Sequence, residues 1–316
     1  MVYAPAVTSG TRARVKRAVP LWAIALFTLP ALALFGIFLL YPLLAALSYS
    51  FFEWAGTTRG DFVGFDNFVT LVTDLPYREA IPNAFAHNLA LFLGMMVVQN
   101  TVGLYLAYHL HQRPRVRRLF QTLYAMPYLV SPLVIGYLWS LLLSPSFGPI
   151  NAFLKAVGLD ALALPWLGDP KLALGVVILI AAWQWIGFPV LLYGAGLGGI
   201  PEELTQAASI DGASPWQAFR HVTLPLLTPV IGTVSVLTFI FAMEIFPLVY
   251  ALGGSTGSPA GATDVMALLF YRVSFQSGTP NSLGMSSAVA TVLFLVIFGT
   301  AVLATRILRR REGRLS

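Results

Sequence analysis

The chain has 316 residues, 57% of them hydrophobic and only 10% charged, far below the roughly 25% charged of a soluble domain. This excludes a water-soluble globular enzyme and points to an integral membrane protein. The net charge of +6 invites a nucleic-acid reading, but the basic clusters border apolar runs without interleaved aromatics, so topology and lipid headgroups account for them and no nucleic-acid partner is expected.

Residues 1–20 form a basic arm with Arg12, Arg14, Lys16 and Arg17. Six apolar runs follow, at 21–46, 84–110, 119–143, 172–192, 226–248 and 283–308, each reaching the roughly 20 helical residues needed to cross a hydrocarbon core. Backbone groups in lipid must bond within their own segment, so an all-α, polytopic bundle of six transmembrane helices is expected over 21–308, with a basic tail at 309–316. The first run exceeds the roughly 7–15 residues of a signal core, carries Pro30 and Pro42 and lacks a cleavage site, which reads as a retained span.

Three longer connections lie at 48–83, 144–171 and 249–282. In the second, Ile150, Phe153, Leu154 and Val157 recur at helical spacing, which predicts a short surface helix. The third holds "ALGGSTGSPAGATD" and reads as a flexible loop. Of the 19 Lys and Arg, five (Arg59, Arg78, Lys155, Lys171 and Arg272) fall on this side and the rest cluster on the other, which places both termini in the cytoplasm. None of the three lysines sits in a GxxxxGK[ST] loop, no HExxH or GxSxG is present, and cysteines are absent. No ATP hydrolysis, metal site, directly bound cofactor or catalytic residue is therefore expected of the chain itself.

The cytoplasmic connector before the fifth run differs from everything around it. "PEELTQAASIDGASPWQAFRHVTLPLLTP" starts a helix near Pro201, with Glu202 and Glu203 at its positive end. Gly212 offers a left-handed stop. Ser214, Pro215 and Gln217 then form a capping box that opens a second short helix, expected to run to about Val222 and end at Leu224-Pro225. So short a helix needs a packing partner, and Ala207 and Ala208 permit close approach of another backbone.

This connector resembles the EAA loop of binding-protein-dependent ABC importer permeases. Ala207, Ala208, Gly212, Leu224 and Pro225 match the motif, while Gln206 stands where the family has glutamate. The resemblance spans nearly the whole chain and narrows to carbohydrate permeases of the maltose and glycerol-phosphate type, through "FVGFDNFVTL", "MPYLVSPLVIGYLWSLLL", "GPINAFL", "WLGDP" and "WQWIGFPVLLYGAGLGGIPEEL". It implies a homologous second permease, two cytoplasmic ATPase subunits that use ATP and Mg, and an extracytoplasmic sugar-binding protein. It also implies that the loop at 201–225 docks into the ATPase, with Glu203, Gln206, Ala207, Ala208, Asp211, Gly212, Leu224 and Pro225 as the coupling residues.

For the substrate path, Glu244 is the one acid deep within an apolar run, and polar groups there tend to face a cavity. The resemblance adds Tyr128 and the Trp183–Gly187 neighbourhood, and it puts Phe239 and Met243 where the maltose type is polar. Trp183 and Trp185 lie about 200° apart on one helix. Trp183 is the expected stacking platform, because Gly187 one turn later leaves room for a ring, and Gln184 is expected to offer hydrogen bonds. Gln99 and Asn100 are read as interhelical glue, and His87 and His109 as interfacial. The expected function is a sugar-importer permease subunit of a bacterial or archaeal inner membrane. An ion-coupled secondary carrier is the alternative, and a membrane scaffold a third reading.

Overall fold

The computed structural model describes residues 21–312, so the basic arm at 1–20 and the end of the tail at 313–316 lie outside the described residues. Three helices are long and apolar enough to cross a membrane unbroken: Ala25–Tyr49 within a helical run (α1) over 21–49, Tyr77–His111 (α3) and the greater part of Ser282–Glu312 (α14). Three further spans are bent pairs. Pro114–Leu129 (α4) and Pro132–Leu142 (α5) meet at 91°, Pro170–Trp185 (α7) and Gly187–Gly198 (α8) at 48°, and Pro215–Leu226 (α10) and Thr228–Glu244 (α11) at 65°. Between α8 and α10 lies the short helix Glu202–Ile210 (α9). The three longer connections carry Asp66–Thr73 (α2), Pro149–Ala156 (α6), Pro247–Gly253 (α12) and Met266–Phe275 (α13). Six spans are present, as the apolar runs require, but half of them are broken.

The sharpest bend and the end of α11 have local causes. Val130 and Ser131 are extended, at ψ 139° and 130°, because Pro132 follows and disfavours helical geometry in the residue before it. The fifth run was expected to stay helical to residue 248. It stops at Glu244, where Ile245 turns out of the helix at ψ 102° ahead of Pro247. At the other end of the chain, the last helix passes residue 308 and reaches Glu312, so the basic tail begins as helix.

The run at 21–46 separates as a unit of its own from residue 47 onward. It is apolar on all sides, with Phe27, Phe38 and Tyr41 exposed, as a lipid-facing helix should be. From residue 47, one departure from an all-α reading is a small antiparallel hairpin, Phe52–Ala55 (β1) with Thr58–Phe62 (β2), turning at Gly56 with φ 64°. Asn67 and Asn281 tie it down. Asn67 donates to the carbonyls of Ser50 and Phe52 at 2.8 and 3.0 Å, and Asn281 donates to Asn67 at 2.9 Å while accepting from the Trp54 amide at 3.0 Å.

The core joins α3, α7, α11, α12 and α13 through Leu91, Val177, Ala242, Val249, Val265 and Leu268, and a neighbouring cluster adds Met95, Ile135, Ile180 and Leu248. Asn88 is fully buried among these elements. Its amide donates to the Ala242 carbonyl at 2.6 Å and accepts from the Met266 amide at 2.9 Å, joining the end of α11 to the start of α13. Asn100 behaves as interhelical glue, donating to Thr238 at 3.2 Å and accepting from Tyr193 at 3.3 Å. Gln99 does not, for its buried carbonyl oxygen has no partner.

The loop expected to be flexible is tethered. Arg272 grips Asp264 through both carboxylate oxygens at 2.8 and 2.5 Å and donates to the Ser255 carbonyl at 2.8 Å, while His87 Nδ1 meets the Asp264 carbonyl at 2.8 Å.

Asn88→Leu keeps the volume but leaves a buried carbonyl and a buried amide unpaired, at a cost of about 1–3 kcal/mol for each. We predict a lowered unfolding midpoint in detergent, with Asn88→Asp falling between wild type and Asn88→Leu. Equal midpoints for all three would contradict the tie.

Candidate functional site

The connector at 201–225 folds from its caps outward. Pro201 is extended (φ −59°, ψ 131°) and stands just before α9 rather than in its first turn, which Glu202 and Glu203 occupy. The far end is a Schellman close, in which the Ala213 amide donates to Ala208 at 2.9 Å and the Gly212 amide to Ser209 at 3.1 Å, with Gly212 at φ 82°. The capping box is complete: the Gln217 amide donates to Ser214 Oγ at 3.3 Å, and the Ser214 amide to Gln217 Oε1 at 2.7 Å. Contrary to expectation, Leu224-Pro225 does not end α10. A wide π turn at Phe219–Thr223 carries the helix on to Leu226. Pro225 has no N–H and its ring presses on the carbonyl four residues back, and the wider turn relieves both.

Helix α9 has two faces. Glu202, Gln206 and Ser209 line a cavity of about 300 Å³ together with Tyr108, His111 and Phe219, so this side is turned toward the end of α3. At 100° per residue, Glu203, Ala207 and Ile210 lie on the adjoining face, each one residue on from a cavity residue, and Ile210 is 86% exposed there; on α10, Trp216 is 66% exposed. Asp211 is also exposed and Ala208 half-buried at the flank. An exposed isoleucine and tryptophan on a short polar elbow are unusual for a surface facing only water.

A second concentration of features lies where the helices break. Pro132 at the α4–α5 break, Trp185 at the end of α7, and Glu244, Ile245 and Pro247 at the end of α11 line one cavity of about 260 Å³ with Met95, Phe241 and Leu248. Tyr128 meets Trp185 edge-on at 4.7 Å between ring centroids, and Trp185 lies against Phe241. The Glu244 carboxylate has no hydrogen-bond or ion-pair partner among the described residues. A groove of about 330 Å³ lined by Phe270, Phe294 and Ile297 opens onto the same carboxylate.

Residues 99–313 match the family described as binding-protein-dependent transport system inner membrane component. The chain belongs to this family. It is 33% identical to the sn-glycerol-3-phosphate transport system permease protein UgpA of Yersinia enterocolitica, over 92% of this chain and 95% of that one. It is 30% identical to the multiple sugar-binding transport system permease protein MsmF of Streptococcus mutans, over 90% and 95%. Its fold is similar to a solved bacterial alginate ABC transporter in complex with an alginate pentasaccharide-bound periplasmic protein, with a TM-score of 0.76, 26% identity and 92% and 94% coverage. The chain is thus a multi-pass inner-membrane permease of the importer type, and the ion-coupled carrier is set aside.

Within this permease the structure rearranges the expected pathway residues. Trp183 is 42% exposed and packs edge-on against Trp139 at 5.6 Å, on the side away from the Tyr128 cluster. Trp185 is the ring that meets Tyr128, Phe241 and the Glu244 cavity. Gly187 makes no room for a ring, because a Cβ there would run into the Tyr124 carbonyl oxygen and come within 2.8 Å of the Ala125 Cα. It lets α4 and α8 touch. Gln184 is fully buried and donates to the Val130 carbonyl at 3.1 Å, so it secures the α4–α5 break instead of facing the cavity. Phe239 and Met243 are buried in packing, and the cavity face of α11 carries Phe241 and Glu244. Phe241 precedes Glu244 by three residues, the helical spacing that could have revealed it from sequence.

Gly187→Ala forces the backbones of α4 and α8 apart, and overpacking of this kind costs about 1–3 kcal/mol. We predict a drop of several degrees in the unfolding midpoint. Trp183→Ala, on the exposed side, should change it far less, and the reverse order would refute the assignment.

Proposed function

We propose that this permease forms half of the translocation pathway for a sugar or related polyol, handed over by an extracytoplasmic binding protein. A homologous second permease completes the pathway, and two cytoplasmic ATPase subunits supply the work from ATP and Mg. The named cargoes of its relatives, multiple sugars, sn-glycerol-3-phosphate and alginate, support the polyhydroxylated class. The observation that carries the coupling role is the two-faced α9. One side borders a cavity at the end of α3, and the adjoining face offers Glu203, Ala207 and Ile210, beside Trp216, to the cytoplasm.

In this reading the elbow at 201–225 is the handle. Its caps hold α9 at a set angle to α10, and α10 runs through Leu224 and Pro225 to the 65° bend at the base of α11. Closure of the ATPase pair displaces α9, and the displacement reaches α11, whose far end carries Glu244. Glu203, Ala207 and Asp211 meet the ATPase surface. Gln206 is exposed at the edge of the cavity that Tyr108 and His111 also line, one turn from Glu203 and Ile210, so an amide in place of the family's glutamate removes a charge from the border of the docking face. The sugar passes Tyr128, Trp185, Phe241 and Glu244.

Two measurements test this reading. Ala207→Asp places a charge on the exposed face, and we predict normal membrane insertion but at least a tenfold loss of ATPase subunits co-purifying with the permease. Full retention with normal uptake would rule out docking through α9. The natural chain has no cysteine, so single cysteines report topology cleanly. Ser258→Cys should react with an impermeant thiol reagent in intact cells and Ser316→Cys should not; reaction at 316 from outside would invert the orientation.

A further inference from the structure

The charge inside the pathway cavity bears on what kind of sugar it takes. Among the residues lining it, Glu244 is the only ionisable one, and Lys, Arg and His are absent. The carboxylate is unpaired among the described residues. It is also badly placed for its own helix, because it occupies the last residue of α11, where freed carbonyls make the end negative. Glu244 is exposed on this chain, so its carboxylate is open to a positive group, and the negative end of its helix favours one there. The neighbouring rings add to the same field. Trp185 and Phe241 line the cavity and Tyr128 abuts Trp185, and aromatic faces attract cations as well as the C–H faces of sugar rings.

Resting on the proposed sugar pathway, we propose that this half of the cavity selects by charge. It favours a polyhydroxylated ligand bearing an ammonium group, an amino sugar, over its neutral counterpart, and it rejects uronates and sugar phosphates. Glu244 is the residue that sets this order, by pairing with the ammonium while Trp185 stacks on the ring that bears it. An anionic sugar meets a like charge, a negative helix end and no compensating cation among the residues that line the cavity.

The test uses the complete permease–ATPase complex in lipid nanodiscs and three trimers of similar size: of glucosamine, N-acetylglucosamine and galacturonic acid. Binding is followed by calorimetry. The expected order is glucosamine trimer at least tenfold tighter than the N-acetylated trimer, with no measurable binding of the galacturonate. Glu244→Gln should remove the ammonium preference and bring the three affinities together. If the wild type binds galacturonate as well as glucosamine, or if Glu244→Gln leaves the order unchanged, charge selection is overturned while the sugar pathway stands. If Glu244→Gln instead stops the second permease from co-purifying, the carboxylate pairs with a cation of that subunit and the proposal is equally overturned. If none of the three binds, the polyhydroxylated cargo itself is refuted, and the proposal with it.

Discussion

A helix broken inside a membrane releases carbonyls and amides that water cannot reach, and each must find a partner within the protein. Two buried side-chain amides meet that demand here. Gln184 donates to Val130 at the α4–α5 break, and Asn88 bridges the last turn of α11 and the first amide of α13. Each amide lies on a helix other than the one it repairs, so the repairs also fix where α7 and α3 sit against the broken spans. The breaks themselves come from Pro132 and Pro247, which remove helical bonds at these depths. Their cost is tolerated because the freed backbone is buried or faces a cavity. Pro132, Trp185, Glu244 and Pro247, which mark three separate breaks, line the same one. Irregular backbone and the cavity are two views of one feature.

The elbow follows a different logic. Its geometry rests on backbone devices: a left-handed glycine at 212, a Schellman pair and a reciprocal capping box. None of these depends on burial, which suits a segment that stands out from the bundle with Ile210 and Trp216 uncovered. A Cβ at Gly212 would touch nothing within 4 Å, so the constraint there is φ alone and costs a side-chain-bearing residue roughly 1–2 kcal/mol. For the coupling role proposed above, stiff caps matter mechanically, because a handle that bent at its own joint would absorb the motion it is meant to pass on.

This contrast explains what could be read from the sequence. Caps are local, so Ser214, Gln217 and Gly212 announced the elbow, and the six apolar runs announced the spans. The breaks were harder to read, because a proline in an apolar run is compatible with an intact membrane helix, as Pro30 within α1 demonstrates. Facing was harder still. Helical periodicity placed Trp183 and Trp185 on opposite sides, but it could not say which side met Tyr128, since both sides are apolar. Gly187 was read as room for a ring when it marks contact between two backbones. Gln184 was read as a ligand group because the carbonyl it repairs lies 54 positions away in sequence. Pro225 marked the end of α10 in the sequence, and whether a proline ends a helix or is absorbed by a wider turn upstream is not written in the local residues.

On the proposed function, the two parts of the molecule separate coupling from selection in physical terms. The elbow works through where its backbone is, and its outer face can serve any cargo. The cavity works through what its side chains are: one carboxylate with no partner among the described residues and two rings, with Tyr128 against one of them, held by breaks whose repair uses none of those groups. Glu244 or Trp185 can change without removing a partner from a freed carbonyl, whereas Gln184 and Asn88 cannot. A permease built this way can alter its cargo by substitution at the cavity surface while its broken spans and coupling handle keep their form. The residues that look most like ligand groups in a sequence, the buried amides, are the ones least free to serve as such.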